Sequence, residues 1–180
     1  MQKINFHRLL MPSVLDGTKT MTRRTIPQKA LDEYENACAI CRGCGGPMPD
    51  PTKFFLDFSR YKVGEVVAIA QSYKSLGLED LKTFAGWSNK LYVSANLMPH
   101  QIRITGIKVE RLQDISYESV LKEGIDFEAV WFGEVEYTFD EFYFDSALEA
   151  FRFMLSKCCK PKTLWEDNPW VFAYSYERVK

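Results

Sequence analysis

Apolar and polar residues alternate at several separated places along the chain, and each alternation predicts a β-strand. Ile4-Asn5-Phe6-His7 gives a short one. Between Lys19 and Arg24 the threonines alternate, which puts Thr20 and Thr22 on one side and Lys19, Met21 and Arg23 on the other. Tyr61-Lys62-Val63-Gly64 reads as a turn into Glu65–Ala70, a β-rich run suited to a buried strand. From Gln101 to Glu110, Ile102 and Ile104 flank Arg103, while Ile107 and Val109 flank Lys108 in the opposite phase. Gly106 stands where the phase slips and predicts a β-bulge in a curved strand. Trp170, Phe172, Tyr174 and Tyr176 alternate with Val171, Ala173 and Ser175 and predict a final strand.

Helical spacing is confined to shorter stretches. Pro12 can open a helix with Met11, Val14 and Leu15 on one face, closed by Gly17. Asp114-Ile115-Ser116 can cap a helix over Tyr117–Lys122, ended by Gly124. Phe144, Ala147, Leu148, Phe151, Met154 and Leu155 share a face, predicting an amphipathic helix over 145–157. Residues 27–62, rich in cysteine, glycine and proline, read as an irregular insertion, and 74–97 carry no assignable pattern. No internal repeat is visible. Strands separated by few helices predict an α+β protein: one domain over 1–180, a small mixed β-barrel with helices packed outside.

Composition narrows the setting. At 180 residues, 46% hydrophobic and 26% charged, the chain is long enough for one sizeable core, and two domains would be cramped. No apolar run approaches a membrane span, and the opening residues lack a signal peptide's apolar core, so a cytoplasmic protein is expected. Five cysteines without a secretion signal argue against a disulfide framework. A net charge of -1 excludes coating duplex DNA by charge alone. Charge is nevertheless uneven: Lys19, Arg23 and Arg24 form a basic site, and Glu128, Glu134, Glu136, Asp140, Glu141 and Asp145 an acidic stretch. A local basic site on a neutral body suits a small anionic ligand or a short strand.

Gly17-Thr18-Lys19-Thr20-Met21-Thr22-Arg23-Arg24 matches the G-x-K-x-x-x-x-R signature of the ASCH family, and other segments extend the likeness in order. Tyr61–Val66 resembles the family's turn into a barrel strand, with Glu65 for the usual Asp. Met98-Pro99, Arg103–Thr105, Val109–Ser116, Glu123–Ile125 and Asn168–Phe172 resemble a subgroup common in phage and prophage genomes. The resemblance implies a PUA-like barrel with a cleft between barrel and helices that binds RNA or a modified nucleotide. Some small bacterial members are amidohydrolases that remove the acetyl group of N4-acetylcytidine with a lysine, a threonine and a glutamate. Those residues map onto Lys19, Thr22 and Glu123. Gly17, Arg23, Arg24 and Arg103 are the candidate ligand contacts.

Amide hydrolysis asks for a nucleophile, a proton acceptor and donor, and a holder for the oxyanion. Thr22 needs a base, which Lys19 becomes if burial or the nearby Arg23 and Arg24 lower its pKa, and Glu123 can pass the proton to the leaving amine. The alternative for Lys19–Thr22 is a solvated sheet edge. Arg24 and Arg103 can hold a phosphate, although Arg103 can equally pair with Glu65 across the sheet. Cys38-x-x-Cys41-x-x-Cys44, with Cys158 or Cys159 as a fourth ligand, can bind a structural zinc; the alternative is reduced thiols in a loop. Trp165, Trp170, Tyr174 and Tyr176 can stack on bases or line a core face. A binding module, an amidohydrolase and a phage structural or host-interaction protein without ligand therefore compete. An open cleft joining Lys19, Thr22 and Glu123 favours the first two, and a cleft plugged by residues 38–60 favours the third.

Overall fold

The computed structural model describes residues 1–129 and 135–179, with side chains at 127–129 and 135 excepted; Glu134 and the side chain of Glu128 therefore lie outside the described residues. Five strands form the main sheet: β1 (Lys3–Ile4), β2 (Met21–Thr25), β3 (Val66–Ile69), β4 (Gln101–Arg111) and β8 (Trp170–Arg178). Their order is β1-β3-β4-β8-β2, antiparallel except for the β1–β3 pair. The sheet bends where its register shifts between Ile104 and Gly106, the bulge that the change of phase predicts. Its strands contribute to a core that includes Ile4, Phe6, Ile102, Ile104, Phe172 and Tyr174.

Closure is the first correction. Edge strands β1 and β2 do not pair, so among the described residues the sheet stays open. A two-residue β1 offers too few backbone groups to continue a ladder. Instead the Arg24 guanidinium, from β2, donates to the carbonyl of Asn5 just past β1 and bridges the seam with one side chain.

The insertion is the second. Residues 27–62 contain α2 (Gln28–Cys44) and α3 (Pro51–Leu56), not an irregular loop. Ala30, Tyr34 and Cys38 recur at helical spacing, with Ala30 and Cys38 buried. Gly45, at φ +70, caps the helix in the left-handed region that glycine tolerates. The clustered glycines behind the irregular reading thus mark a helix end. Residues 74–97 form five short 3-10 turns around a minor core of Ala68, Tyr73, Val93 and Met98.

Helix α1 (Met11–Asp16) packs Val14 into the core of the main sheet. In a second layer α4 (Tyr117–Leu121), α5 (Ala147–Cys158) and α6 (Leu164–Asp167) accompany a separate antiparallel sheet of β5 (Asp126–Ala129), β6 (Val135–Phe139) and β7 (Phe142–Phe144). Buried Ala147, Ala150, Phe151, Met154 and Leu155 join α5 to a second core with Leu112, Val120 and Phe139. Ser146 caps α5 through the Leu148 amide, setting the helix start two residues after the expected 145. The architecture is α+β. Among the described residues no helix is long and apolar enough to cross a membrane.

Candidate functional site

Three backbone contacts bring the two ends of the site together. Gly17, at φ +89, ends α1 and turns the chain so that the Lys19 amide donates to the Ser13 carbonyl. The Thr20 and Met21 amides both donate to the Lys122 carbonyl, which sets the start of β2 against the end of α4. Gly124, at φ +87, lets the chain pass tightly: a Cβ there would stand 2.8 Å from Ser13 Oγ and 3.3 Å from Lys19 Cβ. Glu123 is thereby delivered onto Lys19 across 104 residues of sequence.

The pair is withdrawn from water. Lys19 is 0% and Glu123 3% exposed. Lys19 Nζ lies 2.5 Å from Glu123 Oε2 and donates to the Glu123 carbonyl at 2.7 Å. The other carboxylate oxygen accepts from Arg23 Nη1 at 2.9 Å. Arg23 also grips Glu110 Oε1, at 3.0 Å from Nε and 2.6 Å from Nη2, and Lys108 Nζ meets Glu110 Oε2 at 2.6 Å. Burial pushes the Lys19 ammonium below the ordinary lysine range; the Glu123 carboxylate opposes that shift, and the Arg24 and Arg23 cations add to it.

Lys19, Thr22, Arg23, Arg24 and Glu123 border one cavity of about 50 Å³. That holds a water or two, not a pyrimidine base. Its opposite wall is α5, through Phe151, Met154, Leu155 and Cys158, together with Cys159 just beyond it and Phe6, His7 and Leu10. The cover is therefore α5 and not residues 38–60.

The other expected contacts distribute differently. Arg103 lies away from the cavity, pairing at 3.1 Å with Glu177, its register partner on β8, rather than with Glu65. Gly17 serves as the left-handed cap of α1. Tyr174 and Tyr176 belong to the core, Trp170 carries Arg111 over its ring at 4.6 Å, and Trp165 packs edge-on against Phe151. These contacts favour core packing over base stacking.

The zinc expectation is corrected. Cys38, Cys41 and Cys44 lie along α2, buried, half-buried and exposed in turn. Six helical residues separate the outer two by about 9 Å along the axis. An ion about 2.3 Å from each sulfur cannot reach all three. Cys158 stands elsewhere, its sulfur 3.4 Å from His7 Nδ1. Among the described residues no three of His, Cys, Asp and Glu group as metal ligands.

Burial pushes the Cys158 thiol up to about 12 and raises Cys159 likewise, while desolvation lowers His7. A protonated thiol facing a neutral imidazole is the arrangement these shifts support. Brief iodoacetamide treatment of the native protein near neutral pH is therefore expected to label Cys44 and spare Cys158, read by peptide mass spectrometry. Equal labelling of both would show that α5 does not seal the cavity.

Sequence reasoning did not place Glu110, His7 or Cys159 at this site; Cys159 entered that reasoning only as an alternative zinc ligand. Glu110 follows Val109 directly and both are buried, which breaks the alternation of β4, so the pattern placed Glu110 outward. Nothing in the sequence marks the α5 residues as a wall for Lys19. No family model matches the chain, and no curated protein or solved structure does.

Proposed function

We propose that the chain is an ASCH-type protein, with its bent open sheet a variant of the PUA-like scaffold, and that it takes a modified nucleotide or RNA base at Lys19, Thr22 and Glu123. Removal of an acyl group from an N4-acylated cytosine is the chemistry this site is best equipped for. One observation carries the reading: a fully buried lysine lies 2.5 Å from a buried glutamate, on a cavity that Thr22 also borders. A lysine that only held a phosphate would gain nothing from complete withdrawal from solvent, since the charge it needs for that task is what burial penalises.

In the reactive form Lys19 is the neutral amine. It is the base, and Glu123 passes on the proton that it takes. Thr22 Oγ1 attacks the acyl carbon while Lys19 takes its hydroxyl proton. The C–N bond then breaks, the leaving amine receives a proton from Glu123, and water cleaves the threonyl ester to release the carboxylic acid. Arg23 holds Glu123 in place from its second oxygen. The closed cavity requires α5 to yield when a base enters.

Incubation of the purified protein with N4-acetylcytidine, followed by chromatography, is expected to yield cytidine and acetate. Absence of turnover on a panel of N4-acylated nucleosides, nucleotides and short RNAs would overturn the hydrolase reading.

A further inference from the structure

A second cavity, of about 300 Å³, lies over the open seam between β1 and β2. Arg24 and Arg60 border it, and among the described residues neither pairs with a carboxylate. Their partners are neutral: Arg24 donates to the Asn5 carbonyl, and Arg60 Nε lies 3.5 Å from Gln2 Oε1. The Arg60 guanidinium also stands over the Tyr61 ring at 5.4 Å, which holds the fork in place. Phe58, Tyr61 and Tyr174 furnish aromatic walls. Asn5 Oδ1, on the same cavity, is buried without a hydrogen-bond partner among the described residues.

Each feature asks for a different part of one ligand. Two guanidinium groups without an acid suit a phosphate, which they can hold through paired N–H donors. Aromatic walls suit the sugar that joins a phosphate to its base, and an unpartnered buried amide oxygen suits a hydroxyl donor on that sugar. The volume matches a small-ligand site. Arg24 also borders the Lys19 cavity, so the two hollows adjoin at that side chain.

We propose that the seam between the edge strands is a phosphate-recognising subsite, and that the ligand is a nucleoside monophosphate or the phosphorylated end of a strand rather than a free nucleoside. The inference rests on the nucleotide reading of the adjoining site, but it concerns other residues and is tested by binding.

Calorimetry on the full chain with CMP, cytidine and a 5′-phosphorylated pentacytidylate provides the test. CMP is expected to bind at least about tenfold more tightly than cytidine, the equivalent of about 1.4 kcal/mol, and added salt should shrink that preference. Arg60→Gln is expected to bring CMP down to the affinity of cytidine, with the fold checked by circular dichroism. A pentacytidylate that binds more tightly than CMP would place the phosphate on a strand end, and equal affinities would place it on a free mononucleotide. CMP binding no better than cytidine in the parent, or a CMP preference that survives Arg60→Gln, would overturn the subsite. A CMP preference erased by Arg60→Gln in a protein without turnover would leave the subsite standing and remove the hydrolase. Turnover without a CMP preference would do the reverse.

Discussion

Glu123→Ala is expected to cost about 3–5 kcal/mol of stability near neutral pH, the range for removing one partner of a buried ion pair. The variant leaves Lys19 fully buried with the Glu123 backbone carbonyl as its remaining contact, while Arg23 keeps Glu110. The pH dependence separates this account from a simple packing loss. Lys19 already has a lowered pKa in the folded protein, and the Glu123 carboxylate works against that shift, so its removal lowers the value further. Between the folded value and the ordinary value near 10.5, the unfolded chain binds more protons than the folded one. Stability therefore rises with pH across that window. Urea unfolding of Glu123→Ala at neutral pH and at about pH 9.5 should show part of the loss recovered at the higher pH, with a steeper rise than in the parent. A loss that stays the same at both would mean that the uncompensated Lys19 charge is not its cause.

The legibility of this fold follows from how local each signal is. The bulge at Gly106 was readable because a change of phase in one strand is written in consecutive residues, and β8 because its alternation runs without interruption. The α2 helix was not readable, because its buried stripe consists of an alanine, a half-buried tyrosine and a cysteine, which scarcely register as apolar periodicity. The small sheet of β5, β6 and β7 went unassigned because that stretch read as acidic rather than as alternating. The site divides in the same way. Lys19 and Thr22 sit in one short motif, and Glu123 was reachable through the resemblance. The cover supplied by α5 depends on how two layers meet, and no pattern within a single helix encodes its partner. Barrel closure failed for a related reason: whether edge strands pair depends on strand length and approach, and β1 has only two residues to offer.

Lys19→Arg separates catalysis from binding more sharply than any other change at the site. A general base must spend time without its proton. Burial gives Lys19 that capacity by lowering its pKa, whereas a guanidinium keeps its charge at any working pH. Turnover on N4-acetylcytidine is therefore expected to fall by about 10²- to 10⁴-fold in Lys19→Arg, the usual contribution of a positioned acid–base group. Because the neutral amine is the active form, the parent's rate should rise with pH and level off below the ordinary lysine value near 10.5. That rise should vanish in the variant. A larger head group in a fully enclosed position can also disturb packing, so Thr22, which borders the same cavity, supplies the control. Thr22→Ala deletes the nucleophile and should abolish turnover, while Thr22→Ser keeps a hydroxyl and should retain a measurable share. Turnover in Lys19→Arg with the parent's pH profile would remove Lys19 as the base. Equal loss in Thr22→Ala and Thr22→Ser would remove Thr22 as the nucleophile, leaving the buried pair as a structural joint between β2 and the end of α4.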